Sequence, residues 1–238
     1  LRKGKKIHAM VQRKFLLEEN VLIGNALVDM YAKCGVLMKA WEVLEELPTR
    51  NVVSWNAFIA GCVQNEQHYE ALNCYERMQR EGIFGDEVTF TCIFKTCGSI
   101  GALNIGKRIY EEAVQRGFLK KHTVLGTALV DMYAKCGVLA TAQEVLEELP
   151  DRDTVSWSAL IAGYALKGCW LEALNCFEQM QQECIFPDIF TFVWIMKVCG
   201  MVRADNMGAE IHAVINHVNF QQNEVLLCNA LLDMYAKC

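Results

Sequence analysis

Proline is scarce in this chain: its 238 residues contain only three, Pro48, Pro150 and Pro187. No apolar run approaches the ~18 residues of a membrane-spanning helix, and the basic opening segment lacks the apolar stretch of a secretory signal. Neither sign of charge dominates, since 23 Lys and Arg against 28 Asp and Glu leave a net charge of −5. This balance argues against a basic protein that coats nucleic acid without regard to sequence. The 53% of hydrophobic residues argue against disorder.

Paired cysteine motifs are also absent, because none of the 12 cysteines forms a CxxC motif. Cysteines recur instead in matching contexts, such as Cys74 and Cys176 in EALNC and Cys34 and Cys136 in AKC. This recurrence predicts that they pack as small hydrophobic residues and do not form disulfides or redox sites. We expect the chain to hold no metal and no cofactor.

A long internal repeat is the dominant feature of the sequence. The stretch NALVDMYAKCGVL at Asn25 returns as TALVDMYAKCGVL at Thr127 and begins again at Asn229, at spacings of 127 − 25 = 102 and 229 − 127 = 102. SWNAFIAG at Ser54 likewise returns as SWSALIAG at Ser156. A fixed period of this kind indicates a repeat architecture.

Each period divides into three segments of 31, 35 and 36 residues with one plan: an apolar-periodic helix, a short break, a second helix and a turn. One hairpin cannot bury both its apolar stripes, so neighbouring hairpins must stack. The sequence therefore predicts an all-α fold, a single α-solenoid over residues 1–238. Because the chain begins within a second helix and stops within a first helix, we expect a piece of a longer array whose open ends can self-associate.

The motifs VVSWNAFIAG, EALNCYERMQREGI, VTFTCIF and NALVDMYAKCGVL, in hairpins of 31, 35 and 36 residues, resemble the pentatricopeptide repeat family, and in particular its plant PLS subclass. The resemblance implies a right-handed solenoid of helix-turn-helix repeats. It assigns S, P and L repeats, with partial repeats at both ends, as follows: 1–20 (partial L), 21–51 (S), 52–86 (P), 87–122 (L), 123–153 (S), 154–188 (P), 189–224 (L) and 225–238 (partial S).

Family membership implies binding of single-stranded RNA in plant mitochondria or chloroplasts, commonly as the recognition part of a factor for cytidine-to-uridine RNA editing. Such repeats select one base each with two or three side chains. In the family, the base-reading residues are the fifth and the last of each repeat. Carried onto the S and P repeats, these are the pairs Asn25 with Asn51, Asn56 with Asp86, Thr127 with Asp153, and Ser158 with Asp188.

The resemblance also implies a preferred base for each pair. It gives cytidine or uridine for Asn25/Asn51, uridine or cytidine for Asn56/Asp86, and guanosine for the Thr127 and Ser158 pairs. The L repeats carry the unrecognised pairs Thr91/His122 and Val193/Glu224, where we predict weak or no base choice. The implied site is pyrimidine, pyrimidine, any, G, G, any.

The two complete S repeats allow one comparison within the chain itself. They are identical at 22 of 31 positions, yet Asn25 and Asn51 differ from their counterparts Thr127 and Asp153. A shared scaffold that differs at the proposed base-reading positions is what selective recognition requires.

Two further sets of contacts follow from the resemblance. The second residue of each repeat is expected to stack on bases; these residues are Leu22, Val53, Val88, Val124, Val155, Phe190 and Leu226. The alternative is that they simply begin the buried stripe of the helix. Lys33 and Lys135, near the ends of first helices, are expected to contact phosphates, although a solvated helix-end lysine has the same sequence pattern.

The chain offers no catalytic motif: the zinc deaminase pattern, a nucleophile elbow and a phosphate-binding glycine loop are all absent. We therefore expect no enzymatic activity, with any deaminase domain lying elsewhere. Trp55 and Trp157 fall on apolar stripes and are predicted to be core residues. The alternative function is a protein-interaction scaffold that binds multiple organellar RNA editing factors, which an exposed apolar stripe would favour.

Overall fold

The computed structural model describes residues 2–13, 20–118, 123–218 and 224–238. Within these ranges every regular element is an α-helix. Two compact units form, residues 1–125 and 126–238. The first contains α1 (Arg2–Arg13), α2 (Val21–Lys33), α3 (Leu37–Glu46), α4 (Val52–Gln64), α5 (His68–Arg80), α6 (Glu87–Ile100) and α7 (Leu103–Gln115).

Seven further helices follow. They are α8 (Thr123–Lys135), α9 (Leu139–Glu148), α10 (Thr154–Lys167), α11 (Trp170–Gln182), α12 (Ile189–Val202), α13 (Asp205–Val218) and α14 (Glu224–Lys237). Helix α8 begins three residues before the boundary of the second unit. From α2 to α12, the first helix of every hairpin begins at the first residue of a proposed repeat.

Within each unit, the hairpins stack through their first helices. In the first unit α2 packs on α4, α4 packs on α6, and each of these helices also packs on the second helix of its own hairpin. In the second unit α10 packs on α12, and α12 packs on α14. This is the packing expected of hairpins that cannot bury both apolar stripes alone.

The core lies between these helices. Trp55 and Trp157 are 0% and 3% exposed, which confirms that they are core residues. Phe58 and Phe192 are buried with them. Most of each first helix is therefore inaccessible, and one narrow exposed face remains.

The cysteines divide according to their place in the hairpin. Cys74, Cys97, Cys176 and Cys199 are buried as predicted, and burial raises the pKa of Cys199 to about 11, so that it stays a neutral thiol. Cys34 is instead exposed, so the packing prediction is wrong there. The reason is its position: it is the C-cap residue of α2 and lies in the turn.

A glycine permits the closest approach between first helices. A Cβ atom on Gly61 of α4 would lie 2.2 Å from the Cβ of Ala32 in α2. The same contact recurs 102 residues later, where a Cβ on Gly163 would lie 3.0 Å from that of Ala134. Glycine is thus required where an S repeat meets the following P repeat.

We predict that Gly61→Ala lowers the free energy of unfolding by about 1–3 kcal/mol, because the added methyl group overlaps Ala32 in a packed interior. Urea denaturation followed by circular dichroism measures the change. The control is the same substitution in an Ala32→Gly background, where the overlapping methyl is gone and the loss should be much smaller. Equal losses in the two backgrounds would contradict the close contact.

Candidate nucleic-acid interface

The last residue of each S and P repeat is the N-cap of the next first helix. These four residues have extended backbones, and in each the side chain accepts a hydrogen bond from the backbone N–H three residues later. The distances are 3.0, 3.0, 2.8 and 2.7 Å for Asn51, Asp86, Asp153 and Asp188 respectively. Short polar side chains are the preferred N-caps because they satisfy an otherwise unpaired N–H group.

A buried hydroxyl completes each of these caps. Ser54, Thr89, Ser156 and Thr191 stand three residues after the caps and are all 0% exposed. In the α6 cap, for example, the backbone N–H of Asp86 donates to Thr89 Oγ1 at 3.1 Å. The same reciprocal capping box forms at Asn51 and Asp153, whereas at Asp188 the hydroxyl of Thr191 donates to the carboxylate. Capping thus accounts for Asn and Asp at the last repeat position without any ligand. In the sequence, the serine or threonine three residues after each Asn or Asp is the signal for this cap, which the family pattern of base-reading residues did not reveal.

One proposed base-reading pair is joined directly. Asn56 Nδ2 donates to Asp86 Oδ1 at 2.8 Å, and Thr89 Oγ1 donates to Asn56 Oδ1. Because a carboxylate only accepts, the NH₂ group of Asn56 must be the end that faces Asp86. The fifth and last residues of this repeat therefore meet, although 30 positions separate them in the chain.

The other three pairs differ in how closely they are joined. Thr127 Oγ1 donates to Asp153 Oδ1 at 3.5 Å, a longer contact than that of Asn56. Among the described residues, no hydrogen bond joins Ser158 to Asp188. The reason is that the serine side chain is shorter than that of Asn56, the residue at the equivalent position in the first P repeat. The carboxylate of Asp188 instead accepts from the backbone N–H and the hydroxyl of Thr191, both at 2.7 Å.

Asn25 has an unusual environment. It is 7% exposed, much as Asn56, Thr127 and Ser158 are 8%, 8% and 9% exposed, but both polar atoms of its amide are buried without a hydrogen-bond partner among the described residues. A buried polar group without a partner costs about 1–3 kcal/mol. A ligand can reach this amide only after the side chain turns outward.

The fifth residues of the L repeats differ from those of the S and P repeats. Thr91 Oγ1 is buried without a partner in the described part of the chain, and Val193 has no polar side-chain atom. Their proposed last residues, His122 and Glu224, have side chains outside the described residues.

In each unit, the second residues of the repeats are exposed apolar side chains, one per hairpin. The six predicted stacking residues at the start of α2, α4, α6, α8, α10 and α12 are 52% to 74% exposed. They are Leu22, Val53, Val88, Val124, Val155 and Phe190. The alternative that they begin the buried stripe is therefore wrong. Their side chains offer apolar surface to a ligand on the face that remains open.

The S-repeat lysines are neutralised within their own helices. Lys33 Nζ lies 2.8 Å from Asp29 Oδ2, and Lys135 Nζ lies 2.7 Å from Asp131 Oδ2. An acidic residue four positions before a lysine is the favourable order for such a pair. Either lysine must share its charge with an aspartate before it contacts a phosphate.

Two kinds of site are missing from the part of the chain that the structure describes. There, no group of three or more His, Cys, Asp or Glu residues is arranged to hold a metal ion. Likewise, none of the described helices combines the length and apolar character of a membrane span.

Family comparison agrees with this repeated geometry. A model of the PPR repeat family matches residues 50–99 and 152–201, and a PPR repeat model matches residues 25–52, together 125 of the 238 residues. The chain belongs to the pentatricopeptide repeat family.

Two pentatricopeptide repeat proteins of Arabidopsis thaliana illustrate the relationship. A chloroplastic protein is 34% identical over 238 residues, which cover 100% of this chain and 38% of that protein. A mitochondrial protein is 36% identical over 235 residues, which cover 99% of this chain and 33% of that protein. The chain thus spans about a third of the length of these relatives.

Solved structures confirm the predicted all-α solenoid class. The maize pentatricopeptide repeat protein PPR10 superimposes with a TM-score of 0.65 at 21% identity, over 90% of this chain and 31% of that one. PPR10 in complex with an 18-nt psaJ RNA element gives a TM-score of 0.62 at 16% identity, over 90% of this chain and 38% of that one. At these identities the likeness concerns the fold alone.

The capping role of the last repeat residue can be tested apart from any ligand. Asp86→Ala removes the acceptor for the Thr89 N–H, so the free energy of unfolding should fall by about 0.5–2 kcal/mol. Asp86→Asn keeps an acceptor oxygen and should lose less. Urea denaturation provides the measurement, with Asp151→Ala, at an exposed turn position, as the control. A loss from Asp86→Ala no larger than that of the control would contradict the cap.

Proposed function

We propose that this chain binds single-stranded RNA and selects one base with each S and P repeat, as the recognition part of an organellar factor for cytidine-to-uridine editing. The observation that carries the proposal is the direct contact of Asn56 with Asp86, which brings the two base-reading positions of one repeat together. The proposed site is pyrimidine, pyrimidine, any, G, G, any. The RNA-bound structure of PPR10 adds support for RNA as the ligand.

The hydrogen bonds within the Asn56 pair leave a pattern that suits uridine. Asn56 uses one hydrogen of its NH₂ group on Asp86, and Asp86 Oδ1 accepts from Asn56 and from the Thr89 N–H. The second amide hydrogen and the Oδ2 lone pairs of the carboxylate are then the groups that a base can engage. Uracil presents carbonyl acceptors beside its N3–H donor, which complements one donor next to one acceptor.

The Thr127 pair presents a different pattern. Its hydroxyl donates to Asp153, so the groups that we propose for a base are acceptor oxygens of the Asp153 carboxylate and not a hydroxyl hydrogen. Guanine offers neighbouring N1–H and N2–H donors, which complement two acceptors. Ser158 with Asp188 offers the same groups and is assigned to guanosine as well.

The exposed second residues of the repeats provide the base-stacking part of the proposed site. Each of these side chains projects from the first turn of a first helix, three positions before the fifth residue of its repeat. Val53 and Val88, for example, are 53% and 52% exposed although both are apolar. Stacking of this kind tolerates any RNA sequence, because every base has a flat aromatic face. This leaves selection to the polar pairs.

The proposed location is an organelle, since relatives are named as chloroplastic and mitochondrial proteins. The deaminase activity of an editing factor would lie outside these repeats, in a further domain or a partner.

A second candidate function, protein binding, is favoured by one observation on α10. Its exposed or half-buried positions Val155, Ala159, Ala162 and Leu166 recur every three or four residues and carry no charge. Such a strip suits an apolar partner surface, such as that of the multiple organellar RNA editing factors. Leu166→Asp would weaken that association and leave RNA binding by the other repeats intact.

Base choice is tested by Thr127→Asn. With Asp153, this substitution recreates the groups of the Asn56/Asp86 pair, so the fourth base should shift from guanosine toward uridine. By analogy with paired hydrogen-bond readout of bases, the change in preference should be about 1–3 kcal/mol. Selection from a randomised RNA pool measures it, with the unmodified chain as reference. An unchanged preference at the fourth base would refute the assignment.

Stacking is tested by Phe190→Ala. Loss of one base–aromatic contact should weaken binding of the six-nucleotide site about 5- to 150-fold, equivalent to 1–3 kcal/mol. The thermal midpoint should hardly change, because Phe190 is 60% exposed. Tyr69→Ala on the second helix α5 is the matched control, since Tyr69 is 74% exposed. Equal effects of the two substitutions on affinity would contradict the stacking role of Phe190.

A further inference from the structure

The exposed face of the first helices carries a charge that depends on the repeat class. The position seven residues after each stacking residue lies on the same face, two helical turns along. That position is aspartate in the S repeats, alanine in the P repeats and lysine in the L repeats. In chain order the residues are Asp29, Ala60, Lys95, Asp131, Ala162, Lys197 and Asp233.

The lysines of the S and L repeats differ in their partners. Each S-repeat aspartate binds the lysine four residues later, including Lys237 Nζ at 2.6 Å from Asp233 Oδ2. Lys95 and Lys197 are exposed, and neither lies within 4.0 Å of a carboxylate in the described ranges. The L-repeat lysines therefore keep a full, uncompensated positive charge.

The surroundings of Lys197 leave that charge in place. Its Nζ lies 4.9 Å from the centroid of the Trp194 ring, a contact that orients an ammonium group without neutralising it. Trp194, Lys197 and the stacking residue Phe190 share one face of α12. In the first unit, Val88 and Lys95 are placed in the same way on α6.

We propose that Lys95 and Lys197 are phosphate contacts, through which the L repeats hold the RNA backbone without selecting a base. This inference rests on the RNA-binding function proposed above. The fifth residues of the L repeats offer no available polar group to a base edge in the described part of the chain, because Thr91 Oγ1 is buried without a partner and Val193 is apolar. A phosphate contact about 10 Å along the helix from the stacking residue positions the strand independently of sequence.

The net charge of −5 gives these two residues unusual weight. An RNA strand approaching this chain meets lysines that are already paired in the S repeats and no charged residue at the same position in the P repeats. Lys95 and Lys197 should therefore contribute much of the salt dependence of RNA binding.

The test is the double variant Lys95→Gln/Lys197→Gln. The dissociation constant for the six-nucleotide site is measured from roughly 50 to 200 mM salt, where each neutralised phosphate contributes about 0.7 to the slope of log affinity against log salt on single strands. The slope should become shallower by about 1.4, and the base preference in a randomised selection should stay the same.

Two controls separate this effect from a general loss of charge. Lys33→Gln/Lys135→Gln removes the S-repeat lysines, whose pairing with Asp29 and Asp131 should make their contribution to the slope smaller. Lys107→Gln removes an exposed lysine on the second helix α7 and should leave the slope unchanged. A slope unchanged in Lys95→Gln/Lys197→Gln, with RNA still bound, overturns this inference alone. If the unmodified chain binds no RNA at any salt concentration, the proposed function fails, and this inference fails with it.

Discussion

The hydrogen bond from a backbone N–H to the side chain of the preceding cap residue is the contact on which the arrangement of this protein depends. It starts the first helices α4, α6, α10 and α12, and in α6 it places the last residue of one repeat, Asp86, beside the fifth residue of the same repeat, Asn56. Because an N-cap has an extended backbone at a fixed point of the helix, its free carboxylate oxygen is held in place by the fold. A group positioned in this way loses little further entropy when it binds a ligand.

The same contact gives the last repeat position two roles that constrain each other. Capping favours Asn, Asp, Ser or Thr, and the proposed base recognition would use Asn and Asp for their hydrogen-bonding groups. Exchange between Asn and Asp preserves the cap and changes what a base encounters. The comparison of Asn51 with Asp153 is an exchange of this kind, since both residues cap a helix in the same way.

Much of the fold was predictable because the 102-residue period repeats both apolar stripes and helix starts. The burial of Trp55 and Trp157 followed from the helical spacing alone. Whether the two residues of each polar pair are hydrogen-bonded could not be predicted from the sequence, because this depends on differences of one or two bonds in side-chain length. Asn56 reaches Asp86 whereas Ser158 does not reach Asp188, and the unpartnered amide of Asn25 has no signal in the sequence.

Other features of the site were present in the sequence but require the exposed face to be known. The pairing of Lys33 with Asp29 follows from their spacing of four, and the lysine that recurs in the L repeats follows from its spacing of seven. Neither spacing can be assigned to a solvent-facing surface until the second residues are known to be exposed and not buried. The structure thus identifies the exposed face of the first helices, and the sequence then shows which residues lie along that face.

The contact between Gly61 and Ala32 has a consequence for the spacing of nucleotides along an RNA strand bound as proposed. These two small residues decide how near α2 lies to α4, and hence how far Asn25 lies from Asn56. Under the proposed RNA binding, the step between two neighbouring nucleotides would be governed by residues that touch neither nucleotide. A larger side chain at this buried crossing would then stretch that step and put the bases out of phase with the repeats, even with every proposed base-reading residue intact.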